Sequence, residues 1–172
     1  MDTRKQITTW VDTNREDLIE TANEIFKHPE ISLEEKTSSK ILADYLEKQG
    51  FTVTWGIAGF ETAFVAEWGY GKPVLGFLAE YDALPGLGQE TCSTRKAIEG
   101  PGHGCGHNLL GTACAGAAGA LKSWMETEEK EGTIRVYGCP AEEIVIGKIR
   151  MNEAGVFDDL SAAITWHPFD RN

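Results

Sequence analysis

The sequence predicts an α/β layer fold. Helical and strand-like patterns alternate along the chain, and an alanine- and glycine-rich helical run follows a long loop. The residues able to do chemistry fall just past strand-like runs or at a helix start. In open α/β sheets such positions meet at the carboxyl edge.

Each element has its own signal. From about Arg4 to Lys27, Ile7, Trp10, Val11, Leu18, Ala22, Ile25 and Phe26 recur at helical spacing and predict one helix. His28-Pro29-Glu30 ends it, because proline disfavours helix in the residue before it. Ser32 and Glu35 have the spacing of a capping box for a second helix. Ile41, Leu42, Tyr45 and Leu46 form its apolar face, and Gly50 suits its end. Strands are expected at 51–55, 62–68 and 73–78, the last two joined as a hairpin through Gly69-Tyr70-Gly71. Residues 82–106 form a glycine-rich loop, and loops that long are usually functional. A helix is expected from His107 to about Met125, its glycines allowing close packing on a sheet. A strand at 133–137, a short helix from Lys148 and a strand at 162–166 complete the pattern. One domain spans residues 1–172.

Composition narrows the function. The 172 residues carry 27 acidic and 16 basic side chains, a formal net charge of -11, so no basic patch exists for nucleic acid. No apolar run reaches membrane-spanning length, and the polar first 27 residues lack the apolar core of a secretory leader. Four cysteines in such a chain predict reduced thiols and a cytoplasmic protein.

The chemistry concentrates in three patches. Cys105-Gly106-His107 offers a thiolate and an imidazole, with the predicted helix N-terminus favouring the ionised thiol. Alone, Cys-x-His is equally a buried cysteine beside a surface histidine. Glu142 and Glu143 follow Pro140 after a strand, where one carboxylate can bind a metal and the other take a proton from bound water. The same pair also reads as a solvated acidic turn. His167 ends an apolar strand between Trp166 and Pro168, a position that also suits a packed histidine. Glu80 and Asp82 end another strand as ligands, partners of a ligating histidine, or caps. His103 reads as local to its loop, His28 as a helix terminator and Cys114 as core, while Cys92 and Cys139 lack ligand-like spacing. Serine-hydrolase elbows, Walker loops and dinucleotide fingerprints are absent from the sequence.

The stretch from Gly100 to Ala113, with Gly104-Cys105-Gly106-His107-Asn108 at its centre, resembles the metal-binding segment of the cysteine-containing zinc-dependent amidohydrolases and exopeptidases. His28-Pro29-Glu30, the run Glu80 to Pro85, Pro140-Ala141-Glu142-Glu143 and Trp166-His167-Pro168 follow in that family's order. Asn108 and Leu110 agree with its aminobenzoyl-glutamate branch. The resemblance implies a three-layer zinc-exopeptidase-like catalytic domain that hydrolyses the amide of a small N-acyl amino acid. It implies Cys105, His107, Glu143 and His167 as ligands of two divalent metal ions, zinc or manganese, with cobalt a further option. Glu142 would be the general base and then acid, and Asp82 the aspartate that orients the site. Glu80 stands where many relatives place a histidine ligand. Family members are much longer. The resemblance therefore implies a truncated, N-terminal part of the catalytic domain, without the lid and the rest of the ligand set, inactive by itself. The alternative is a non-catalytic fragment that folds or self-associates. A sheet cut short exposes an edge and apolar surface, so a homo-oligomer is expected.

Overall fold

The computed structural model describes residues 2–169. Its elements run α1 (Thr3–Thr13), α2 (Arg15–Lys27), α3 (Lys36–Lys48), β1 (Thr52–Trp55), β2 (Phe64–Tyr70), β3 (Val74–Glu80), α4 (His107–Thr127), β4 (Gly132–Cys139), α5 (Gly147–Glu153) and β5 (Ala162–Ile164). The five strands form one mixed sheet in the order β1-β2-β4-β3-β5. The β1–β2 and β2–β4 pairs are antiparallel, and β4–β3 and β3–β5 are parallel.

Strand alternation divides the core. Phe64, Ala66, Phe77, Ala79, Ile134 and Val136 pack under α2, α3 and α4 with Ile25, Leu42, Leu46, Leu110 and Ala115. Val65, Leu78, Tyr137 and Cys139 face the other way, against Met151 of α5 and Val156, Phe157 and Leu160 beyond it. The sheet is thus covered on both faces, as the α/β layer reading expects. Among the described residues, no helix is long and apolar enough to cross a membrane. An apolar groove lies along α1, α2, α4 and the β5 edge, with Val11, Ile19, Leu109 and Ile164 on its walls.

Four local expectations are corrected. The expected single helix at 4–27 is two helices. The Asn14 amide donates to the Trp10 carbonyl at 2.8 Å, a side-chain bond that competes with the helical ladder and lets the chain turn. Ser32 and Glu35 do not form a capping box. The Glu30 carboxylate accepts from the Thr37 and Ser38 amides at 2.9 and 2.8 Å and so caps α3, while Ser32 and Glu35 point elsewhere. The expected hairpin of β2 and β3 is not a pair, because β4 lies between them. Seven of the eight β4 residues are buried, so this strand takes the interior of the sheet and leaves the flanks to its neighbours. The glycines of α4 serve the sheet only in part. A Cβ on Gly111 would stand 2.5 Å from the Glu80 carbonyl oxygen, but Gly116 and Gly119 admit Leu18 of α2 and Trp10 of α1.

Candidate metal centre

Because β3, β4 and β5 are parallel, their carboxyl ends open on one edge of the sheet. Glu80 and Asp82 leave β3 there, Glu142 and Glu143 leave β4, and His167 follows β5. Cys105 and His107 reach the same edge from the start of α4, where Gly106 adopts φ 82°. A Cβ on Gly106 would meet the Pro168 ring at 2.7 Å, so only glycine lets the two segments close together.

His107 is fully buried at the centre. Its Nδ1–H donates to the Asp82 carboxylate at 2.9 Å and to the Asp82 carbonyl at 3.0 Å. Both partners are acceptors, which fixes the proton on Nδ1 and turns the Nε2 lone pair outward. Nε2 is buried with no hydrogen-bond partner. Around it stand Glu80 Oε2 at 3.1 Å and Glu142 Oε2 at 3.8 Å. Donor atoms of Cys105, His107 and His167 lie within 4.8 Å of one another, as do those of Glu80, His107 and Glu142. Cys105 Sγ is 3.1 Å from His167 Nε2, and His167 Nδ1–H donates to the Pro168 carbonyl at 2.9 Å. Glu143 belongs to neither trio. Its Oε1 is buried without a partner, 3.9 Å from His107 Nδ1 on the Asp82 side.

Asp82 organises the centre. Besides His107 it accepts from Ser32 Oγ at 2.8 Å and from the Glu143 amide at 2.9 Å. Burial would raise its carboxyl, but the His107, Glu143 and Ser32 hydrogen bonds outweigh that and hold it below the usual range. Burial likewise opposes a charge on His107, yet the Asp82 hydrogen bond and the charges of Asp82, Glu80 and Glu143 raise it above its ordinary value. The thiol of Cys105 contradicts the expectation from its helix N-terminus. Burial, then the nearby charge of Glu143, pushes it up to about 11. In so acidic a pocket the thiolate forms only when a cation arrives.

Sequence reasoning missed two residues. Glu35 was assigned to a helix start, but it is fully buried beneath the catalytic edge. Its Oε1 accepts from the amides of Leu33 and Ala141 at 2.8 Å each, and its Oε2 from Thr62 Oγ1 at 3.1 Å. Ala141 has φ 56°, so Glu35 fixes the strained turn that presents Glu142. Lys148, read only as a helix opener, pairs through Nζ with Glu80 Oε1. A carboxylate at a capping-box spacing gave no local signal for the first, and a lysine on a short helix none for the second.

His103 is local, as read. Its Nε2–H donates to the Ile25 carbonyl at 3.2 Å and its ring packs beside Phe26. Burial drives its pKa down to about 4. The unfolded chain therefore takes up a proton here that the folded chain refuses. This stability is complete above the ordinary histidine pKa of ~6.5 and is lost as pH falls from there toward about 4. The loss is on the order of 2 kcal/mol. Thermal melts of parent and His103→Asn between pH 7 and 4 check it. The variant should lack that part of the acid decline, and parallel curves would contradict the assignment.

The sequence model of peptidase family M20/M25/M40 matches residues 76–171, more than half of the chain. The chain belongs to this family. This M20 chain is 48% identical over 161 residues to a p-aminobenzoyl-glutamate hydrolase of Escherichia coli, covering 92% of the chain and 34% of that protein. It is 33% identical to the human Xaa-Arg dipeptidase, covering 86% of the chain and 34% of the dipeptidase. It thus spans about a third of the length of these relatives. Among solved structures, a dinuclear metal binding M20 peptidase of Bacillus subtilis superimposes with TM-score 0.76 at 28% identity, covering 92% of this chain and 44% of that one. The family is one of metal-binding hydrolases, and the domain is an M20 catalytic fold.

Proposed function

We propose that this M20 domain hydrolyses the amide bond of a small N-acyl amino acid, with p-aminobenzoyl-glutamate the first substrate to try, at a pair of divalent metal ions. The observation that carries the reading is His107 Nε2, buried and unpartnered while Nδ1–H is committed to Asp82. A buried nitrogen aimed at carboxylates, a thiol and a second imidazole fits a cation. The sulfur, nitrogen and oxygen donors suit zinc, manganese or cobalt.

Cys105, His107, Glu143 and His167 hold the ions in this reading. When bound, they supply Lewis-acid activation of water and of the substrate carbonyl. Asp82 keeps His107 in the ligating tautomer. Glu142, with its side chain 36% exposed, stands at the mouth of the site. It takes the proton of the attacking water and returns it to the departing amine. Glu35 and the turn at Ala141 hold Glu142 in that place.

The test is metal uptake together with hydrolysis. Metal-free protein dialysed against zinc or manganese should retain the ion, His107→Ala should lose it, and a chain extended to the length of its relatives should release glutamate from p-aminobenzoyl-glutamate. A parent protein that retains no metal overturns the reading.

A further inference from the structure

We propose that Glu80 supplies an additional oxygen donor to this metal centre and that Lys148 is its positioning residue. The inference rests on the metal reading above and assigns to it two residues outside that ligand set. Glu80 is the last residue of β3, with a side chain 7% exposed. Its two oxygens have different neighbours. Oε1 is taken by the Lys148 ammonium, which reaches over from α5. Oε2 faces His107 Nε2 at 3.1 Å without hydrogen-bond geometry.

That approach is informative because both atoms are acceptors. With its proton on Nδ1, His107 turns a lone pair toward a carboxylate oxygen, and two lone pairs so close repel unless a cation lies between them. Two ligands on adjacent corners of one ion, with bonds of ~2.1 Å, stand about 3 Å apart, which is the separation seen here. Glu142 completes a trio with them. An ion pair that only fastened α5 to β3 would have no reason to aim the second oxygen at the unpartnered nitrogen of His107. Lys148 takes the oxygen that points away, so the carboxylate is held in one rotamer with a single oxygen free.

Manganese(II) is the probe, since it favours oxygen donors. Its binding to the metal-free chain is followed by loss of the free-ion electron paramagnetic resonance signal. Glu80→Gln should weaken binding about 10- to 100-fold, and so should Lys148→Met, the usual effect of removing a partner that orients a ligand. Lys148→Arg should restore most of the affinity, and Lys148→Met should add nothing in the Glu80→Gln background. Melting of each metal-free variant separates this from a structural role. A lower midpoint with manganese affinity unchanged overturns the proposal, as does tighter binding by Lys148→Met. A parent chain that binds no manganese or zinc overturns the metal reading too, whereas a parent that binds and a Glu80→Gln variant that binds equally well overturn this inference alone.

Discussion

Glu142→Gln should lower amide hydrolysis by ~10²–10⁴-fold and leave bound metal in place, measured in a chain extended to the length of its relatives. The amide keeps the shape of the carboxylate but cannot accept a proton from water. Glu143→Gln should do the reverse, losing metal because a buried, unpartnered oxygen beside His107 becomes a weaker donor. The two side chains are neighbours in sequence and both lie within 4 Å of a His107 nitrogen, so the pair of variants decides their roles. Loss of metal from Glu142→Gln with retention in Glu143→Gln would exchange the assignments. The Glu80–His107–Glu142 trio makes that comparison informative, because it places Glu142 nearer to Nε2 than the base assignment requires.

Glu35→Ala should destabilise the fold by about 3 kcal/mol or more, because it leaves two buried amides and a hydroxyl without their acceptor. For a domain of this size that corresponds to a fall in melting temperature of roughly 6–12 °C. Glu35→Gln is also expected to be harmful, since its amide nitrogen would confront donors where the carboxylate has only acceptors. Burial raises the Glu35 carboxyl above its usual value and the hydrogen bonds from the Ala141 and Leu33 amides oppose that rise, so the group is held by donors it cannot exchange for water. Calorimetry of parent and variants reads the effect directly. A melting temperature within about 2 °C of the parent, less than 1 kcal/mol on the same scale, would show that the turn at Ala141 does not depend on Glu35.

The sequence announced the ends of strands well and their neighbours poorly. Cys105, His107, Glu142 and His167 converge because each follows a parallel strand or opens a helix, and those positions are visible in local pattern. Pairing is not local. Nothing around Gly69-Tyr70-Gly71 distinguishes a hairpin from a turn that leads past a third strand. Polar residues were misread for a related reason. Ser32 and Glu35 carry the spacing of a cap, but Glu30 reaches the α3 amides first, which frees both for contacts with Asp82 and Ala141 far along the chain. The pairing of Lys148 with Glu80 is likewise long-range. The break at Asn14 is the exception, since asparagine in mid-helix carries a local warning.

The placement of β4 bears on how the molecule assembles. β1 and β2 are near in sequence and can zip together early. The β3 strand, by contrast, finds its partner only when Thr133 reaches Val74, and β2 finds its own when Gly138 reaches Phe64. One late segment thus joins two halves that do not otherwise pair. Both joins close long loops, which slows folding relative to local pairing. Until they close, the apolar run Val74-Leu75-Gly76-Phe77-Leu78 has both edges bare, a template for pairing with other chains. The yield of refolded protein is therefore governed by competition between β4 docking within a chain and strand exchange between chains, and it falls as concentration rises.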